Sequence, residues 1–323
     1  MSPGRDRPGH EGHDGPRRPA GRLLRVTFAA YPDDMTGSAA RDITYAHGAR
    51  TRRGRAVIRG LEMLGGRPAL LRRARDYRHA VARGADFWEE MAGRYGLRLE
   101  AMRGAVDDIP AQGPVVVVAN HPYGILDGLA LSLILSRRRG RFKVMANDVF
   151  LRAPELADVV LPVSFEDGRA ARGANLAMRR AALDWLAQGG AIGVFPGGTV
   201  STPRRPFGQA RDPAWRSFTA KLIRASGATV VPVHFEGANS RLFQLASHLH
   251  ANLRLGLLIR EFRARTDGPV RFSVGRPIPP AEIATHDGNQ RELMAWLRAA
   301  TYAAGDTDDA LGLDFDVDHP GCA

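Results

Sequence analysis

The sequence predicts an α/β fold with a mostly parallel central sheet flanked by helices, and three observations carry that prediction. Short continuous apolar runs recur at Val115–Ala119, 159–163, 191–195, Thr229–Phe235 and 270–274. A run that is apolar at successive positions suits a strand covered on both faces. Helix-period segments fall between the runs, as in 174–190 and 211–227, and glycine and proline punctuate the joints. That alternation is expected of strand–helix–strand units in a parallel sheet.

Size and composition limit what such a fold does. At 323 residues and 44% apolar content, the chain is long enough for one large domain with appendages and too apolar to be wholly disordered. Its single cysteine, Cys322, supplies neither a disulfide framework nor a cysteine zinc site, which points to a reducing, cytoplasmic setting. The first 22 residues are polar and rich in glycine and proline, so no signal peptide and no export are expected. The longest apolar stretch, 128–136, is nine residues, whereas a spanning helix needs about 20.

In chain order, residues 1–50 read as a disordered leader, with 23–31 as a short strand or anchor within it. Residues 51–105 read as basic amphipathic helices broken at Gly65, Gly66, Gly84 and Gly96. Between Arg52 and Arg83 ten arginines face two acids, Glu62 and Asp76, interleaved with Leu61, Leu64, Leu70, Leu71 and Tyr77. Such a face suits an anionic membrane surface. Nucleic acid is not expected, because no zinc-finger spacing, RNA-binding signature or helix-turn-helix accompanies the charge.

The main domain spans 106–285 and opens on the strand at Val115–Ala119. The segment 126–136 reads either as a core helix or as the wall of an apolar groove. In 174–190, Leu176, Leu183 and Leu186 are expected on one helical face, stopped by Gly189 and Gly190. In 211–227, Asp212 is expected as N-cap, Pro213 in the first turn and Gly227 as terminator. Residues 286–323 read as a C-terminal helix and an acidic tail.

Function in open α/β sheets collects at the carboxyl ends of strands. There "NHPYGILDG" (120–128) follows the valine run, placing Asn120 and His121 at a strand end and Asp127 six residues beyond His121. Spacing alone does not pair them: a capping histidine with a solvated aspartate fits as well as a dyad, and a bend at Gly124 is what would join them. A second strand ends in "FPGGTVS" (195–201), whose turn amides suit an oxyanion or phosphate. A third ends in "EGANS" (236–240). His234 and Glu236 share a strand face but have no third ligand, so no metal is expected.

Taken in order, "NHPYGILDG", "FPGGTVS", "VVPVHFEGANS" and "GRPIPP" (275–280) resemble the successive blocks of the bacterial lysophospholipid acyltransferase family, within the glycerolipid acyltransferase superfamily. The resemblance runs over about 56–283 and is nearest the hemolysin-like branch, which includes lyso-ornithine lipid acyltransferases. It implies a peripheral enzyme at the cytoplasmic face of the inner membrane. The enzyme would transfer a fatty acyl group from acyl carrier protein or acyl-CoA to the hydroxyl of a lysolipid acceptor, lyso-ornithine lipid being one. Catalysis would fall to His121 as base and Asp127 as its orienting acid. No cofactor and no covalent intermediate is implied, so Ser201 and Cys322 need not be nucleophiles.

Substrate contacts are expected from Asn120, Gly197, Gly198, Thr199, Arg204, Arg205, Asn239 and Arg241, with the amides near Gly197 and Gly198 facing the oxyanion. The sequence departs from the commoner pattern in three places. Five residues rather than four separate His121 and Asp127, position 197 is glycine where many members have glutamate, and 158–165 lacks an arginine often used to grip glycerol phosphate. The last two weaken a phosphate acceptor. The alternatives are a 1-acylglycerol-3-phosphate acyltransferase and a non-catalytic, hemolysin-like membrane-binding protein.

Overall fold

A computed structural model describes Met1 and residues 44–49, 51–147, 150–151, 154–163, 169–286 and 288–314. The expected strand or anchor at 23–31 and Cys322 lie outside the described residues. Among the described residues seven strands form one sheet: β1 (Arg98–Arg103), β2 (Val115–Ala119), β3 (Lys143–Asn147), β4 (Val160–Val163), β5 (Ala191–Val194), β6 (Thr229–Phe235) and β7 (Pro269–Val274). Their order is β1-β7-β6-β2-β5-β3-β4. From β6 to β4 all neighbours are parallel, and β7 pairs antiparallel to β6 but parallel to β1. The fold is the α/β class expected.

β2 sits at the centre because every one of its residues is buried, which only a strand paired on both edges and covered on both faces tolerates. Its alternation feeds two cores. Val115, Val117 and Ala119 join Met91, Tyr95, Leu131, Ile134 and Phe262 on one face. Val116 and Val118 join Met178, Leu186, Leu222, Leu293 and Leu297 on the other. Each such side chain contributes about 1.5–3 kcal/mol of apolar burial.

β1 and β3 have no counterpart among the apolar runs of the sequence. β1 is a half-exposed edge, with Arg98, Glu100 and Arg103 among its six residues, and β3 runs from Lys143 to Asn147 with a buried centre of Val144 and Met145. Neither needs to be apolar throughout, because each is reached by solvent. β1 also places part of 51–105 inside the sheet. The rest of that segment is four helices: α1 (Arg52–Leu64), α2 (Arg67–Arg73), α3 (Tyr77–Ala82) and α4 (Phe87–Tyr95). Breaks fall at Gly65 and Gly66 and at Gly96, which closes α4 in the left-handed region.

The end of the expected leader is ordered. Thr44 donates its hydroxyl to Glu62 (2.7 Å) and the Tyr45 amide donates to the same carboxylate (2.8 Å).

Helix α5 (Ile125–Arg139) buries Leu126, Leu131, Leu133, Ile134 and Leu135, so it is a core helix and not a groove wall. In α6 (Arg169–Ala187) the buried face is Met178, Ala182 and Leu186, at i, i+4 and i+8; Leu176 lies off that stripe and is 62% exposed. α7 runs Ser217–Ser226 with Arg216, not Asp212, at its N-cap, while Gly227 ends it as expected. After β6 come α8 (Arg241–Leu249) and α9 (Ala251–Arg263), and α9 is the partner on which α1 packs. After β7, α10 (Pro280–Thr285) and α11 (Gln290–Ala304) follow, α11 lying on β6 and α7.

Candidate active site

The carboxyl ends of β2, β5 and β6 meet at one rim of the sheet, where the three singled-out segments converge. Asn120 closes β2 by pairing with the backbone of Phe235: its Oδ1 accepts the Phe235 N–H (2.7 Å) and its Nδ2 donates to the Phe235 carbonyl (2.9 Å). Both ends of that amide are spent inside the protein and the residue is buried. Asn120, expected as a substrate contact, is placed as a clamp between β2 and β6.

The bend falls at Gly124, whose φ of 89° and ψ of −108° suit glycine alone. Helix α5 starts at the next residue, and Asp127 is its third. From that position the carboxylate turns back over the helix start, its Oδ2 accepting the Tyr123 N–H (2.7 Å) and the Gly124 N–H (2.9 Å). An acid in the first turn is also favoured by the helix dipole. The same Oδ2 lies 3.0 Å from His121 Nδ1, approached obliquely to the ring rather than along the N–H direction. Asp127 is fully buried while the His121 side chain keeps 18% of its surface.

The His121 ring stacks on Phe195, centroids 4.2 Å apart and planes 27° from parallel. With Nδ1 turned inward to the acid, Nε2 is on the outer side and has no hydrogen-bond partner among the described residues. The buried carboxylate beside Nδ1 holds the inner edge of the ring and leaves Nε2 as the nitrogen open to the surface.

Beside the ring runs the 195–202 turn. Gly198 donates its amide to the Phe195 carbonyl (3.0 Å), which closes the turn. Gly197 and Thr199 keep amides without a partner among the described residues. The Ser201 N–H donates to the His121 carbonyl (2.8 Å), tying the turn to the His121 loop. From behind, the buried Arg254 reaches Thr199 Oγ1 (2.8 Å), the Val200 carbonyl (2.6 Å) and Thr202 Oγ1 (2.5 Å). Burial pushes the Arg254 guanidinium down to about 9, still charged at neutral pH.

Arg204 and Arg205 are exposed on the loop that follows, which carries Phe207, 77% exposed and at φ 68°. Asn239 is buried, its Nδ2 3.4 Å from the Tyr123 carbonyl in the loop that follows His121. Arg241 is exposed at the first residue of α8. His234 and Glu236 form no metal cluster with a third ligand among the described residues; His234 Nε2 is 3.2 Å from Thr307 Oγ1.

Two participants have no signal in the sequence. Arg254 looks like any arginine of a basic chain, and Asp212 looks like a helix cap. In the structure Asp212 is fully buried and accepts from the His121 N–H (3.1 Å), the Ser201 hydroxyl (2.5 Å) and the Trp215 indole (2.9 Å). Burial raises the proton affinity of its carboxyl, and these donors oppose that rise.

A family model described as acyltransferase matches residues 94–311. The chain is 30% identical over 204 residues to a lyso-glycine lipid O-acyltransferase of Phocaeicola vulgatus, covering 61% of this chain and 70% of that one. Against the lyso-glycine lipid O-acyltransferase of Bacteroides thetaiotaomicron the identity is 31%, over 61% and 71% of the two chains. Among solved structures, the 1-acyl-sn-glycerophosphate (LPA) acyltransferase PlsC of Thermotoga maritima aligns with 81% of this chain and 84% of its own, at 17% identity and a TM-score of 0.41.

Proposed function

The chain belongs to the acyltransferase family, and on that premise we propose that it esterifies the free hydroxyl of a single-chain lipid from an acyl thioester, with His121 as general base and Asp127 as its orienting carboxylate. The observation that carries this reading is the 3.0 Å approach of Asp127 Oδ2 to His121 Nδ1, with Nε2 left outward. Nε2 takes the hydroxyl proton as the oxygen attacks the thioester carbonyl. The C–O bond forms, the carbonyl becomes an oxyanion, and its collapse breaks the C–S bond. The proton then passes from the imidazolium to the departing thiolate.

Positioned base catalysis of this kind is worth about 10²–10⁴ in rate. The oxyanion is assigned to the amides of Gly197 and Thr199, and holding both reactants in line supplies most of the remaining acceleration. Arg204 and Arg205 are assigned to an anionic group on either substrate, where a guanidinium binds carboxylate or phosphate through two parallel hydrogen bonds.

The acceptor proposed is an amino-acid lipid with one chain removed. Lyso-ornithine lipid follows from the resemblance of the motifs, and the two relatives are named for lyso-glycine lipid. The donor is acyl carrier protein or acyl-CoA. Docking is assigned to α1, which exposes Ala56, Val57, Gly60, Met63 and Leu64 beside Arg52, Arg53 and Arg59. An apolar stripe edged by guanidinium groups fits the cytoplasmic leaflet, where acyl chains lie under anionic headgroups. Among the described residues no helix is long and apolar enough to cross a membrane.

The test is a crossed assay of purified protein, with each thioester against lyso-ornithine lipid, lyso-glycine lipid and lysophosphatidate, in wild type and His121→Ala. Acylation of an amino-acid lipid by wild type alone is the expected result. Full turnover by His121→Ala removes the base, and a preference for lysophosphatidate removes the acceptor. Sedimentation with phosphatidylglycerol vesicles, compared between wild type and a Val57, Met63 and Leu64 triple serine variant, checks the docking face.

A further inference from the structure

Asp212 holds a buried carboxylate that proton transfer at His121 does not consume. Its Oδ1 takes the His121 backbone N–H and the Ser201 hydroxyl, and its Oδ2 takes the Trp215 indole. The peptide of the same residue is held from the other side. Its N–H is directed at the Tyr302 hydroxyl (2.8 Å), and its carbonyl accepts from the Gly312 N–H (2.8 Å) and from Arg298 Nη2 (2.9 Å). One residue therefore joins the end of β2, the 195–202 turn, and α11 with the segment behind it. Gly197 packs against the carboxylate as well, since a Cβ built there would stand 3.2 Å from Oδ2.

Burying a carboxylate is costly unless donors surround it. Here the donors are not interchangeable. A backbone N–H and an indole N–H cannot accept, so each demands an acceptor, and Asp212 supplies both at once. The His121 loop and the turn that carries Gly197 and Thr199 are already joined directly, Ser201 N–H to His121 carbonyl at 2.8 Å. Asp212 adds the second tie that fixes their angle as well as their distance.

We infer that Asp212 is a positioning residue for acyl transfer: by holding the His121 peptide and Ser201 together it sets the imidazole against the turn that faces the reacting carbonyl. This rests on the reading of His121 as the base. Asp212 is fully buried, so its loss acts on turnover through geometry. A misplacement of about 1 Å in such a site costs about 10²-fold.

Asp212→Asn tests it. The amide nitrogen must face either the His121 N–H or the Trp215 N–H, and neither can receive it. Trp215→Phe removes the indole donor, so in the double variant asparagine can turn its nitrogen to that side and give its oxygen to His121 and Ser201. The expected result is an Asp212→Asn loss of about 10²-fold in kcat with KM for both substrates nearly unchanged, and a recovery of about tenfold in the double variant. A residue that served only stability leaves the kcat of the folded single variant at the wild-type value and shows its loss in unfolding alone.

Wild-type kcat in Asp212→Asn overturns the inference, and so does a double variant no faster than the single one. Should Asp212→Asn not accumulate as folded protein, Ser201→Ala removes one tie alone. A clear fall in kcat at unchanged KM then supports the positioning role, and an unchanged kcat overturns it. His121→Ala in the same assay separates the two readings. If it stays active the base assignment fails, whereas an inactive His121→Ala beside an unimpaired Asp212→Asn removes only the positioning role.

Discussion

Oδ2 of Asp127 does two jobs with one atom, capping the Tyr123 and Gly124 amides and facing His121 Nδ1, while Oδ1 is buried with no partner. Asparagine can keep its oxygen where Oδ2 stands and put its nitrogen in the place of Oδ1, so Asp127→Asn removes charge and little else. On the proposed reading, the imidazolium formed in turnover then loses its counter-charge. The expected outcome is a fall in kcat of about 10²-fold with the fold retained, and Asp127→Ala adds a further loss of about 1 kcal/mol because the cap goes as well. Steady-state kinetics beside urea unfolding checks both variants; equal stability losses in the two would show that the cap is not carried by this oxygen.

The start of α5 is the element that sets the pair, and Gly124 sets the start of α5. A Cβ at Gly124 would lie 3.1 Å from Leu258 Cδ2 and 3.2 Å from Val200 Cγ2, at a φ of 89° that side chains avoid. Gly124→Ala is expected to cost about 1–3 kcal/mol of stability and to lower kcat more than it raises KM, since Asp127 moves with the helix. Thermal unfolding and kinetics of that one variant decide it, and a variant of native stability and turnover would refute it. The 195–202 turn depends in the same way on α9, through Arg254. Arg254→Met leaves the buried Val200 carbonyl without its 2.6 Å donor, for an expected loss of about 1–3 kcal/mol by urea titration.

Across the whole molecule, His234 makes stability depend on pH. It lies on β6 against the segment after α11, edge-on to Tyr302 with centroids 5.4 Å apart. Burial, with a smaller contribution from the charge of Arg211, lowers its imidazole to about 4. That is below the ordinary value of about 6.5, so the unfolded chain binds the proton more readily than the folded one. Stability is therefore whole above about pH 6.5 and is lost as pH falls toward 4, by about 2–3 kcal/mol at pH 4.5. Urea unfolding at pH 7 and 4.5 is expected to show a smaller difference in His234→Gln than in wild type. An identical difference would place the acid sensitivity elsewhere.

By itself the sequence determined the fold class and the central strand, and it singled out His121 and Asp127 just beyond that strand's end. Those features are local: apolar runs, glycine punctuation and a short motif are all read within a dozen residues. It left open whether His121 and Asp127 meet, because that depends on a backbone bend at Gly124, where Leu258 and Val200, far along the chain, leave no room for a side chain. Tertiary structure alone decided that β1 and β3 are strands, that Asn120 and Gly198 spend their hydrogen bonds internally, and that Asp212 grips the His121 loop 91 residues away. Such roles arise from which donors meet which acceptors in space, and residue type carries no record of that.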